Sequence, residues 1–198
     1  MPTRPLFPRT LFFALFLALF LALPDRALLA EDPPAAPAVP GVSSWVTGHD
    51  LHVEATLAPG LPEEVRQRLG SGLATTVTWT IRLFVFRNLW WDSLKDERLY
   101  AVTATYRPET SDYLVERRLD ARLLDTQLLP TQAEAARTLA RVPGLPVFTL
   151  GDHLVGKKLV VRLRCRYGSG VALGVVPTTD ETDWARSGIF EWTANGAR

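Results

Sequence analysis

The 198-residue chain has one cysteine, one methionine and three histidines, and it has no apolar run long enough to cross a bilayer. Each shortage excludes something. With Cys165 alone, no intramolecular disulfide framework can form, so a hydrophobic core must hold the fold. No cysteine lies near the N-terminus, which excludes lipid attachment to one there. Charge of either sign is not in excess: 22 basic residues face 21 acidic ones, and no global field steers the chain toward nucleic acid. A G-x-S-x-G nucleophile elbow and the D-x-D-x-D-G calcium loop are both absent.

The first segment present is a leader. Arg4 and Arg9 precede the apolar run Leu11 to Leu23, about thirteen residues, which has the size of a signal-peptide core. Spanning the hydrocarbon layer takes roughly twenty apolar residues, and Pro24, Asp25 and Arg26 stop the run short of that. Residues 1–30 are therefore predicted to be a signal peptide cut after Ala30. The alternative is a retained N-terminal membrane anchor, because Leu28, Leu29 and Ala30 extend the apolar character beyond the break. Residues 31–41 (EDPPAAPAVPG) are a proline-rich spacer without periodicity. Residues 42–198 are predicted to form a single β-rich globular domain, large enough to bury a core.

Within that domain the hydrophobic period is mostly two. Leu51, Val53, Ala55 and Leu57 alternate with polar residues after a short strand at Ser44 to Val46 and the turn Thr47-Gly48-His49-Asp50. Leu61-Pro62-Glu63-Glu64 opens a short helix with Val65 and Leu69 on one side and Gly70 as its stop. Residues 73–87 are the central strand, placing Val77, Trp79, Ile81, Leu83 and Val85 on one face; Phe84 and Phe86 bring apolar groups to the other. Leu99 to Tyr106 and Tyr113 to Leu119 are predicted to pair as a hairpin. Thr131 and Glu134 form a capping box for a second helix, with Ala135, Leu139 and Val142 as its stripe and Pro143-Gly144 as its end. Lys157 to Tyr167 is a long strand and Ile189 to Trp192 a closing one. Seven or eight strands and two short helices in the order ββαβββαββ predict a mainly β, α+β fold. Its antiparallel sheet would curl into a sandwich or half-barrel.

This layout resembles domain-of-unknown-function family 4390, a family of bacterial exported proteins. The resemblance rests on the leader with its proline-rich spacer, the strand before Leu61-Pro62 and the helix ending Leu69-Gly70. It continues through Arg87-Asn88-Leu89-Trp90-Trp91, the Tyr106 to Tyr113 hairpin, Thr131 to Ala135 and Trp184 to Trp192. It implies a Gram-negative, periplasmic setting and brings no catalytic residue, cofactor or ligand with it.

Several clusters carry chemistry. His49-x-x-His52 with Asp50 and Glu54 has metal-ligand side chains, but on a strand 49 and 52 face opposite ways, which predicts a polar surface. Asp152-His153 and Ser169 suggest a hydrolase only without an elbow, and Gly168-Ser169-Gly170 reads as a turn. Asp180, Glu181 and Asp183 read as a solvated acidic loop. Cys165 lies on an apolar strand face, as a buried small hydrophobe would. Lys158, Arg162, Arg164 and Arg166 fall on one sheet face, where they repel unless acids or an anionic partner answer them; Glu116 and Asp120 are the expected acids. Trp90 and Trp91 cannot both face the core, so one is expected to be exposed.

These features predict an exported, periplasmic, non-enzymatic envelope accessory or binding module without metal or cofactor. Its contact surface would combine Lys158, Arg162, Arg164 and Arg166 with Trp90 and Trp91. The partner would be an envelope protein or an anionic envelope lipid, not nucleic acid. The alternatives are a periplasmic enzyme with an unrecognised site, or a lipid-carrying β-sandwich with an apolar cavity along Phe84 and Phe86. Intact-mass analysis of the protein from a bacterial envelope is expected to give a chain starting at Glu31; a start before Pro24 would overturn the cleaved reading.

Overall fold

The computed structural model describes residues 37–89, 91–172, 176–193 and 196–197. The predicted signal peptide, the first six spacer residues and Trp90 lie outside the described residues. An antiparallel hairpin opens the domain: β1 (Val42–Thr47) and β2 (Asp50–Thr56) turn at Gly48, whose φ of 63° suits a residue without Cβ. Leu51, Val53 and Ala55 of β2 point inward and are buried, as the period of two requires. Helix α1 (Glu63–Gly70) follows and buries Val65 and Leu69, one turn apart.

Next come four consecutive antiparallel strands, β3 (Thr75–Val85), β4 (Ser93–Arg107), β5 (Asp112–Leu119) and β6 (Arg122–Leu129). Helix α2 (Gln132–Leu139) starts at Thr131, whose Oγ1 accepts the Glu134 N–H at 3.2 Å and donates to the Glu134 carboxylate at 3.1 Å. After α2 come β7 (Arg141–Thr149), a 3-10 turn (Asp152–Leu154) and β8 (Lys158–Ala172). The chain then forms β9 (Val176–Glu181), β10 (Ala185–Arg186), β11 (Phe190–Thr193) and β12 (Gly196–Ala197).

The larger sheet runs β12-β11-β8-β3-β4-β5-β6, with β9 and β10 also on β8, and curls into a half-barrel; β1-β2-β7 form a small second sheet. The antiparallel half-barrel with two short helices matches the sequence expectation. Trp79, Ile81 and Leu83 of β3, Tyr100 and Val102 of β4, and Leu163 of β8 are all buried on the concave side. Burying each such large apolar side chain stabilises the fold by about 1.5–3 kcal/mol.

The element order departs from ββαβββαββ for identifiable reasons. Strand β6 follows β5 through Asp120-Ala121, both at positive φ (49° and 67°), the geometry of a two-residue hairpin turn that normally announces itself by glycine. Strand β7 runs straight through Pro143-Gly144 and Pro146. It lies at the edge of its sheet, where prolines are tolerated, and slips register opposite Leu51/His52 and Val53/Glu54. Helix α2 ends at Leu139, and Val142, expected on its stripe, belongs to β7. Gly168-Ser169-Gly170 is no turn: it lies within β8 at a register slip against β9, with Gly168 at φ 73°. Asp180 and Glu181 likewise belong to β9 rather than to a loop.

Along β8, the strands β9, β10 and β11 behave as one edge strand broken twice. At each break a buried hydroxyl replaces a backbone acceptor. Thr182 donates its N–H to the Cys165 carbonyl at 2.8 Å while its Oγ1 accepts the Cys165 N–H at 3.0 Å. Ser187 repeats the arrangement four residues down β8, donating its N–H to the Val161 carbonyl at 2.9 Å and accepting the Val161 N–H at 3.0 Å. Each hydroxyl donates its O–H to the next carbonyl, of Asp183 and Gly188 respectively. Leaving a buried N–H unpaired costs about 1–3 kcal/mol, so Thr182→Val and Ser187→Ala are each expected to lower unfolding free energy by that amount in urea titrations. Thr182→Ser, which keeps the acceptor, should lose less.

Candidate functional site

The outward face of β8 carries Arg162, Arg164 and Arg166, as the alternation predicts, and each has an acidic partner within the chain. Arg164 pairs with Glu181 at 2.6 Å and Arg166 reaches the same carboxylate at 3.6 Å. Arg162 pairs with Asp92. The expected acids serve elsewhere: Glu116 pairs with Arg118 and Asp120 with Arg98. Strands β3 and β4 separate β8 from β5, which puts those acids out of reach. Lys158 is exposed and has no ion pair among the described residues.

Aromatic rings fill the spaces between these cations. Trp184, just before β10, sits between two guanidiniums, 4.6 Å from Arg82 and 4.8 Å from Arg164 to its ring centroid. Arg82 in turn pairs with Glu97 of β4. Arg162 covers Phe84 at 4.8 Å and Arg186 covers Phe86 at 5.7 Å. The half-buried Phe84 and Phe86 thus lie under guanidiniums. Exposed pairs and cation–π contacts of this kind each contribute about 0.5–1 kcal/mol. Together they fasten the edge segment across β8, β3 and β4, and they neutralise most of the predicted basic ladder.

The loop Arg87–Asp92 joins β3 to β4 and leaves the sheet at the same end. Phe86 donates its N–H to the Lys158 carbonyl at 2.8 Å. Asp92 closes the loop: one oxygen accepts the Arg87 N–H at 3.3 Å and the other binds the Arg162 guanidinium. The Asp92 side chain is only 10 % exposed. Above this closure Leu89 is 90 % and Trp91 93 % exposed. Trp91 is thus exposed, and Trp90 lies outside the described residues. Leu94 at the start of β4 and Val155 before β8 add exposed apolar surface to this end. Arg87, Lys95, Lys157 and Lys158 are exposed there and form no ion pair among the described residues; Asp152 and Glu191 are the nearby exposed acids.

The other sequence candidates have structural partners. His52 stacks on Trp45 with centroids 5.4 Å apart and donates Nδ1–H to the Gly144 carbonyl at 3.2 Å. His49 lies edge-on to Trp192 at 5.4 Å and bonds the Leu150 carbonyl through Nδ1 at 3.2 Å. No group of three potential metal ligands occurs among the described residues. Asp152 and His153 are exposed on the 3-10 turn. Cys165 is fully buried, and that burial pushes its thiol pKa up, away from the reactive thiolate. Tyr100 is buried as well, which raises its phenol to about 12 although Arg117 opposes the shift.

Leu89, Asp92 and Trp184 are the residues that the sequence pattern concealed. Leu89 follows Arg87-Asn88 outside the alternating pattern of the central strand, and the Asp92 and Trp184 side chains meet guanidiniums from distant strands, Arg162 for the first and Arg82 and Arg164 for the second.

Together the fold and this end of it define a class: a mostly-β half-barrel module that projects a stapled apolar loop among cations. Residues 43–169 match the model described as Domain of unknown function (DUF4390), and the chain belongs to that family. No curated protein and no solved structure matches the chain. The match contains the loop and Asp92 and ends inside β8, before Thr182, Trp184 and Ser187.

Removing the staple has a defined effect. Asp92→Ala is expected to speed amide exchange at Arg87 about tenfold, equivalent to about 1.4 kcal/mol, while core amides in β3 keep their protection. Unchanged exchange at Arg87 would show that Asp92 does not hold the loop.

Proposed function

We propose that this protein is an exported, periplasmic, non-enzymatic binding module of the bacterial envelope. It docks on an anionic membrane surface through the loop Arg87–Asp92. The observation that carries the reading is the near-complete exposure of Leu89 and Trp91 on one loop whose base is fixed by Asp92. Two large apolar side chains held in water forgo about 1.5–3 kcal/mol each relative to burial, and a fixed base spares the ordering cost of binding. Tryptophan is favoured at the membrane interface, where an apolar ring meets polar headgroups.

The surrounding charge fits the same surface. Arg87, Lys95, Lys157 and Lys158 outnumber Asp152 and Glu191 at this end, and each cation close to an anionic bilayer adds about 1 kcal/mol. Of the predicted basic strand, Lys158 contributes to contact directly. Arg162 contributes through Asp92, as a positioning residue for the loop.

Sedimentation with vesicles tests the reading. The protein is expected to pellet with vesicles containing phosphatidylglycerol, to do so less at 0.5 M salt, and to stay in solution with pure phosphatidylcholine. Leu89→Ser combined with Trp91→Ser should abolish pelleting without altering the unfolding midpoint. Equal pelleting of the double variant would sink the membrane reading. So would a photo-crosslinker at Trp91 that captures one envelope protein and no lipid.

A further inference from the structure

A second, independent surface lies between α2 and the segment that follows β2. It is a groove of about 870 Å³, within the roughly 300–1,000 Å³ typical of small-ligand sites. Leu57 and Leu61 form one wall, Ala136 of α2 and its C-cap residue Ala140 the other. With Ala133 these alanines are spaced three and four apart, so they share one side of the helix, and their small side chains are what leaves the groove open. The position of α2 is fixed: Gln132 donates its side-chain N–H to the Arg66 carbonyl of α1 at 2.8 Å, and Ala135 and Leu139 anchor the opposite side in the core.

The polar part of the lining is one-sided. Arg66, Arg137 and Arg141 face a single acid, Glu54, which already pairs with Arg141. Arg66 pairs with Glu63 of its own helix. Arg137 has no carboxylate partner among the described residues; its Nε–H reaches only the Ala133 carbonyl at 3.4 Å. An apolar trough with an excess of guanidinium along its rim fits a ligand with an apolar tail and one negative headgroup, since guanidinium binds a carboxylate bidentately.

We propose that this groove binds a single-tailed amphipathic anion, a long-chain carboxylate, with the tail between the leucine and alanine walls and the headgroup on Arg137. The site shares no residue with the loop, so either can fail alone.

Calorimetric titration of the purified protein with dodecanoate, below its micelle concentration, tests the proposal against dodecyltrimethylammonium, which has the same chain and the opposite charge. One saturable dodecanoate site is expected, with at least tenfold weaker binding of the ammonium. Ala133→Phe, on the exposed side of α2, should fill the trough and weaken dodecanoate at least tenfold, and Arg137→Glu should weaken it at least fivefold. The Leu89→Ser, Trp91→Ser double variant should bind dodecanoate like the parent. Equal affinity for the two amphiphiles overturns the proposal, as does undiminished binding by Ala133→Phe. Should Ala133→Phe lower the unfolding midpoint, Arg137→Glu decides alone: unchanged affinity there overturns the proposal.

Discussion

Strand β8 must have both of its edges satisfied before the half-barrel is complete, and the rest of the structure is arranged around that demand. One edge pairs regularly with β3 over eight residue pairs from Thr78↔Arg166 to Val85↔Leu159. The other meets a segment that cannot lie flat for its whole length, and at Cys165 and Val161 hydroxyls take the place of carbonyls. A buried N–H without a partner costs about 1–3 kcal/mol, so Thr182 and Ser187 are inside the protein although they are polar. Their placement lifts Trp184 out of the ladder and onto the outer face, where it can lie between Arg82 and Arg164.

The same outer face shows how charge is used. A run of alternate arginines on one strand repels itself, and the sheet resolves this by bringing acids from three directions: Asp92 from the β3–β4 loop, Glu181 from β9, and Glu97 across from Arg82. Two of the arginines also lie on Phe84 and Trp184. The resulting surface is cohesive and close to neutral. Arg87, Lys95, Lys157 and Lys158, without an ion pair among the described residues, sit at the end of the sheet near Leu89 and Trp91, and Arg137 sits at the α2 groove.

Much of the fold is legible in the residues because local chemistry and burial agree there. The period of two in β2, β3 and β8, the capping box at Thr131, and the Tyr106↔Tyr113 pairing of β4 and β5 each follow from nearest neighbours. Legibility ends where distant partners decide. Ala121 adopts a left-handed turn that its type does not advertise, and β6 carries leucines on both faces with Leu123, Leu124 and Leu128 all exposed. Pro143 and Pro146 read as breaks until β7 is known to be an edge strand. For the site, the four basic positions on β8 were legible, and so was the exposure of one tryptophan. Which acids answer the arginines was not, because Asp92 and Arg162 are seventy residues apart in sequence.

Satisfying β8 late in the sequence has a consequence for timing. Val42 of the first strand bridges to Ser187, and His49 of the first turn lies against Trp192. The opening hairpin and the closing segment therefore complete one another only when residues far apart in sequence have met, and closing so large a loop is slow relative to local pairing. While synthesis is still short of Ser187, the inner strand keeps open donors and the core lacks its last tryptophan. Until that segment arrives, the half-barrel stays open along one edge of β8.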